Sequence, residues 1–189
     1  DGDSGDTLTY SIVSDVSNGS TSLSGSTVIY TPTANYNGTD TFTYKLNDGD
    51  EDSNTSTLTI TVAAVNDAPT TEDDTASTDE DTNVDISITA SDTEGDDVTF
   101  SIVSDASNGT TSVSDSTITY TPDDDYNGTD TFTYKANDGT EDGNTSTITV
   151  TIAAVNDAPV AEDVTSSTNE NRMMQLGVTL DASDVDGDD

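Results

Sequence analysis

The chain has 189 residues, 39 of them Asp or Glu, against only Lys45, Lys135 and Arg172, for a formal net charge of −36. That balance excludes nucleic acid as a partner, because phosphate neutralisation needs basic residues, and the lack of any Cys or His excludes disulfides and imidazole-based zinc or acid-base sites. A hydrophobic content of 29% with this much charge is the composition of a disordered segment, so a folded reading rests on pattern. From the N-terminus, apolar residues alternate with Thr, Ser or Lys at Leu8, Tyr10 and Ile12, then at Phe42, Tyr44 and Leu46, then at Leu58, Ile60 and Val62. A period of two predicts half-buried strands, and threonine suits their wet face because its branched carbon fits the pleat. Asn18-Gly19, Asn37-Gly38 and Asp48-Gly49 supply the turns between them.

At Val65 to Pro69 the string VNDAP appears, and it returns at Val155 to Pro159, 155 − 65 = 90 residues later. Residues 11–65 and 101–155 differ at 15 of 55 positions, which leaves 40 identical without a gap. Self-similarity at this period means one small sandwich domain per repeat. The complete copy, residues 66–155, predicts strands near Thr70 to Thr75, then at Asn83 to Ala90, Asp97 to Ser104, Thr110 to Val113, Ser116 to Thr121, Asp130 to Asn137 and Thr145 to Ala153. Residues 1–65 form a partial copy without the first two strands, and residues 156–189 begin a third with two strands and an acidic loop. Tyr36 and Tyr126, just ahead of the Phe-x-Tyr strands, are placed to pack a ring under the sheet and return the hydroxyl to the backbone. The expected fold class is all-β, as tandem immunoglobulin-like Greek-key sandwiches. The chain opens and stops inside a repeat, so it reads as a window cut from something longer. No apolar run approaches the roughly 20 residues needed to span a bilayer.

Acids gather in loops that a sandwich would put at its poles. Asp92, Glu94 and Asp96, with Asp138, belong to the pole where the complete repeat begins. Glu80 and Asp123-Asp124-Asp125 belong to the pole where it ends, and the linkers Asn66-Asp67 and Asn156-Asp157 join these poles. Carboxylates and an amide converging on a junction suit Ca²⁺, which takes six to eight oxygen ligands in loose geometry, the alternative being that the acidic loops are solvated faces of a protein adapted to salty surroundings. EF-hand geometry is excluded for the DGDSGD and DVDGDD strings by their glycine phase and the lack of flanking helices.

In these residues the chain resembles, over its whole length, the cadherin-like tandem repeats of large bacterial surface adhesins of the VCBS and RTX type. The resemblance implies Ca²⁺ held between domains by an Asn-Asp-x-x-Pro linker, an Asp-x-Asp pattern in the next domain, a Glu near the first strand and an acidic motif before the sixth. Carried over, it implies Asn66 and Asp67 with Asp92, Glu94 and Asp138 at the first junction. At the second it implies Asn156 and Asp157 with Glu80, the run Asp123 to Asp125, Asp184 and Asp186. Ala64 and Ala154 stand where the cadherin linker begins with Asp, so at least one ion of the usual set is not expected. Thr33-Ala34-Asn35 in place of three Asp predicts a weaker junction for the first copy.

The expected role is a calcium-stiffened extender of an extracellular bacterial adhesin or surface filament, structural and not an enzyme. Its expected partners are neighbouring repeats; the open sandwich is completed either by terminal strands of another chain, in head-to-tail self-association, or by upstream strands of a continuous polypeptide from which the window was cut. The alternative is a polysaccharide- or cell-surface-binding module, which would need an exposed aromatic platform. Paired carboxylates on convex poles are a poor basis for glycosidase chemistry.

Overall fold

Threonine-spaced apolar residues become strands throughout the structure, a computed structural model that describes residues 7–165, 179, 182 and 183. Among them there is no helix long and apolar enough to cross a membrane. The chain divides into two compact units, Asp1–Asn66 and Asp67–Asp189.

The first unit holds β1 (Thr9–Ser14), β2 (Gly19–Ser24), β3 (Thr27–Pro32), β4 (Gly38–Asn47) and β5 (Ser56–Val62). They form a sheet in the order β1-β4-β5 and a separate β2-β3 ribbon. Pairing of β1 with β4 is antiparallel, with a bulge between Ile12 and Ser14 that sharpens the local twist. Phe42, at 2% exposure, is the one fully enclosed large apolar side chain among the described residues of this unit.

In the second unit the same five strands recur as β10 (Thr99–Ser104), β11 (Gly109–Ser114), β12 (Thr117–Pro122), β13 (Gly128–Asn137) and β14 (Ser146–Ala153). Ahead of them lie β6 (Thr70–Thr71), β7 (Asp74–Asp79), β8 (Val84–Ser87) and β9 (Ala90–Ser91), and after them β15 (Val160–Ala161) and β16 (Ala182–Ser183). One sheet runs β10-β13-β14-β7 and the other β11-β12-β8, with β6-β9 and β15-β16 as short ribbons. Between the sheets Ile118, Tyr120, Phe132, Ile148 and Val150 are at most 1% exposed. The ring of Tyr120 stacks on that of Phe132 at 6.1 Å, an arrangement that adds to area burial.

The structure differs from the sequence-based expectation in the first two strands of the complete copy. The strand expected at Thr70 to Thr75 is broken in two and reaches Asp79, and the one expected over Asn83 to Ala90 becomes β8 and β9. The cause is a change of partner. β6 pairs with β9, while β7 crosses to run parallel to β14 and β8 joins β12. The amide of Asn144 holds the crossing: its Oδ1 accepts the Thr71 N–H at 2.8 Å and its Nδ2 donates to the Thr71 carbonyl at 2.9 Å, in the manner of a strand partner. Tyr134 donates its hydroxyl to the Glu72 carbonyl, 2.9 Å away. Gly143 is required beside it, since a Cβ there would lie 2.0 Å from the Pro69 carbonyl oxygen.

Candidate metal centre

Three carboxylates from separate parts of the chain meet at one end of the second unit. Asp81 comes from the connection between β7 and β8, Asp125 from the turn between β12 and β13, and Asp157 from the linker after β14. One oxygen of each lies within 4.8 Å of the others. Backbone geometry aims two of them. Asp81 and Asp125 adopt φ of 59° and 58°, a left-handed conformation that few residues other than Gly, Asn and Asp accept, and the Asp125 N–H donates to Asp81 Oδ1 at 3.1 Å.

Glu80, only 4% exposed, underpins this end without joining the group. Its Oε1 accepts the Val155 N–H at 2.5 Å and its Oε2 the Asn127 amide at 3.3 Å, while its own N–H donates to the Ala153 carbonyl at 2.9 Å. The linker is thereby tied down just before Asp157. Asn156 turns its amide onto the Asp157 carbonyl at 2.7 Å. Asp123 shapes the same turn through its backbone: its N–H reaches the Asn108 carbonyl at 3.0 Å and its carbonyl accepts the Tyr126 N–H at 3.1 Å.

At the opposite pole Asp92 Oδ1 accepts the N–H groups of Glu94 at 3.0 Å and Asp96 at 2.9 Å, and Glu94 Oε2 accepts the Asp67 N–H at 3.1 Å. Asp92 Oδ2 is buried and takes no hydrogen bond among the described residues. A carboxylate oxygen removed from water without a donor is costly, and a cation relieves it. Asp138 Oδ1 accepts the N–H groups of Thr140 and Glu141 in its own loop, both at 2.7 Å. Asn66 is the last residue of the first unit.

Of the residues singled out at the second junction, the structure brings Asp125 and Asp157 together, leaves Glu80 and Asp123 beside them, and adds Asp81, which the sequence motifs do not single out. The signal was the run Asp79-Glu80-Asp81, of which the motif marks only the middle member. Asp184 and Asp186 lie outside the described residues. At the first junction Asp67, Asp92 and Glu94 are linked through backbone N–H groups, and no cluster of three carboxylates forms there among the described residues.

A further acid has a different task. Asp130, 4% exposed, accepts N–H groups from Asn108 at 2.7 Å, Ser107 at 3.1 Å and Thr131 at 2.8 Å, and the Tyr120 hydroxyl at 3.2 Å. Burial alone would raise its pKa, but these four donors hold it below the usual carboxylate value, while burial and Asp130 itself push the Tyr120 hydroxyl upward. Asp40 repeats the arrangement with Ser17, Asn18, Thr41 and Tyr30. Tyr36 and Tyr126 return their hydroxyls to the carbonyls of Thr39 and Thr129, at 2.8 and 3.0 Å.

Among solved structures, human CDH23 EC21-23 aligns with 94% of this chain and 73% of its own at 19% identity and a TM-score of 0.56. The protocadherin gammaB7 EC3-6 cis-dimer aligns with 94% of this chain and 51% of its own at 17% identity and a TM-score of 0.53. At these identities the likeness is one of fold. The endo-fucoidan hydrolase MfFcnA4 of glycoside hydrolase family 107 aligns with 80% of this chain at 22% identity, but the chain spans 24% of that enzyme and the TM-score is 0.36, too loose a superposition to carry an argument. No curated protein matches the sequence. The bacterial Ig domain family matches residues 1–61 and 66–152, both copies of the repeat, and the chain belongs to that family.

Proposed function

We propose that this chain is a run of structural repeats from a bacterial surface protein, extracellular, whose junctions are stiffened by Ca²⁺ and which holds a distal binding element away from the cell. The observation that carries the reading is the convergence of Asp81, Asp125 and Asp157 on one point beside the linker. Three carboxylates this close repel one another unless a cation sits among them, and a donor set made only of oxygen, in a chain without His or Cys, suits a hard ion. Asp157 would then tie the linker to the end of the sandwich, with Asp81 and Asp125 closing the other sides. The buried Asp92 Oδ2, with Asp67 and Glu94 nearby, supports a second cation position where the repeat begins. The whole first-junction set, Asn66 and Asp138 included, belongs to the same proposal, as do Glu80, Asp123, Asn156, Asp184 and Asp186 at the second.

A polysaccharide-binding role has less support. None of the ten aromatic residues is exposed, so no platform for stacking on sugar rings is on offer.

Calorimetric titration with Ca²⁺, paired with thermal melts and small-angle scattering in Ca²⁺ and in chelator, tests the reading. Ions that bind only the folded junctions add stability by mass action, about 2.7 kcal/mol at a hundredfold excess over Kd. The second unit is expected to melt at higher temperature in Ca²⁺, and Asp81→Ala or Asp157→Ala to remove that gain while leaving the chelator melt in place. Unchanged melting and unchanged maximum dimension on adding Ca²⁺ would overturn it.

A further inference from the structure

An Asn-Gly dipeptide joins a short side-chain amide to a residue whose backbone N–H no side chain shields, and it is where an Asn amide is lost most readily. The chain holds four, Asn18-Gly19, Asn37-Gly38, Asn108-Gly109 and Asn127-Gly128. The structure divides them into two kinds. At Asn108 the backbone is held on both sides: its N–H donates to Asp130 Oδ2 at 2.7 Å, and its carbonyl accepts the Asp123 N–H at 3.0 Å and the Tyr120 hydroxyl at 3.1 Å. Gly109 then pairs with Pro122 in the ladder, where a Cβ would lie 2.5 Å from the Thr121 carbonyl oxygen. Asn18 has the same set of partners in Asp40, Thr33 and Tyr30, and Gly19 pairs with Pro32. All four of these residues are half-buried.

Asn127 and Gly128 are exposed. They stand at the start of β13, and each is kept there for its own structural reason. Gly128 has φ of 137°, which side chains rarely permit, so a glycine is required. Asn127 donates its amide to Glu80 Oε2 at 3.3 Å. Glu80 is 4% exposed, and its other oxygen accepts the Val155 N–H where the linker begins. The dipeptide that braces this end of the sandwich is therefore also one of the two open to solvent and to reaction. Asn37-Gly38 is the other, with φ of 123° at Gly38.

We propose that Asn127 is a site of spontaneous deamidation, and that its conversion to a carboxylate releases Glu80 and loosens the linker. The Gly128 nitrogen attacks Asn127 Cγ: the N–Cγ bond forms, the Cγ–Nδ2 bond breaks, and the Gly128 N–H proton leaves with the amide as ammonia. Water then opens the cyclic imide. Cleavage of the new N–Cγ bond leaves an aspartate in the normal chain, whereas cleavage of the original peptide bond leaves an isoaspartate, whose extra backbone carbon lengthens the turn. Water is consumed and ammonia released, with no oxidant or reductant. Either product sets a carboxylate where Glu80 has a donor. Buried and facing a like charge, Glu80 loses the balance that kept it ionised at the Val155 N–H.

The test is run in chelator, so that its outcome does not depend on the calcium reading. The chain is aged at mildly alkaline pH, and peptide mapping by mass spectrometry reads the change from amide to acid at each Asn. Positions locked in a ladder react only through local opening, so conversion at Asn127 is expected to be roughly tenfold faster than at Asn108, or more. Hydrogen exchange at Val155 is expected to rise in step with conversion. Asn127→Asp should show that fast exchange without ageing, and Asn127→Gln, which closes the ring poorly, should show no rise over the same period. Conversion of Asn108 as fast as that of Asn127 would overturn the assignment of the site. Unchanged exchange at Val155 in the converted chain would overturn its consequence.

Discussion

Asp130 shows how one side chain can be structural in a chain where acids are everywhere. It is buried, it satisfies the N–H groups that open β11, and it receives the Tyr120 hydroxyl from the middle of the core. Asp130→Asn keeps the shape but replaces one acceptor oxygen by a donor facing N–H groups, and is expected to cost the second unit about 1–3 kcal/mol at neutral pH, read by urea unfolding. The pH dependence has a definite sign. Because the folded-state pKa of Asp130 is lowered, its stabilisation is fully present above the unfolded carboxylate value of about 4 and is lost as pH falls through the folded one. Asp142, lowered by hydrogen bonds from Lys135 and Asn137, loses its contribution in the same direction. The wild-type chain should therefore weaken more between pH 5 and pH 2 than Asp130→Asn does; equal losses would mean that Asp130 is not among the acids responsible. The ion pair of Lys135 with Asp142 is half exposed, and Lys135→Ala should matter little by comparison.

At the scale of strands, the repeat performs its own control experiment. β5 and β14 share their pattern of apolar residues, and only β14 has β7 along its outer edge. Ile148→Ala removes a fully buried side chain and is expected to cost about 2–5 kcal/mol. Leu58→Ala at the equivalent position removes one already 42% exposed and should cost well under half as much. Hydrogen exchange, followed strand by strand in each variant, separates the two units. One position where the copies differ follows the same logic: Gly143 is required where Pro69 closes on it, and its counterpart Ser53 is exposed.

For the whole molecule, charge acts on stability in a way that no single contact represents. With 39 acids and three bases, the compact state repels itself more than the expanded one. Raising NaCl from about 10 mM to about 500 mM shortens the screening length from roughly 30 Å to under 5 Å, so melting temperature in chelator should rise with salt. Ca²⁺ should act at far lower concentration and with saturation if Asp81, Asp125 and Asp157 hold it, whereas a general screening effect would follow ionic strength alone. Melts in Ca²⁺ and in NaCl at matched ionic strength distinguish them.

The 90-residue period, the all-β class and the apolar faces of the strands were legible in the sequence, because alternation at a period of two acts locally and survives whatever the strand packs against. The Tyr126 corner was legible for the same reason, since its hydroxyl returns to a carbonyl three residues on, whereas Asn108-Gly109, whose composition suits a tight hairpin, forms none: Gly109 opens β11, and the hairpin to β12 turns at Asp115, with φ of 51°. Partners far apart in the chain were not. That the first strand of the repeat breaks after Thr71 and runs on parallel to β14 depends on Asn144, 73 residues away. The meeting of Asp81 with Asp125 and Asp157 is likewise a product of three loops brought to one pole, and the sequence motifs marked Glu80 in the first of those loops while passing over Asp81. Composition supplied the carboxylates, but only the tertiary structure decided that Asp130 would be buried among donors and Asp81 turned toward the linker, because desolvation and mutual distance exist only once the sheets have closed.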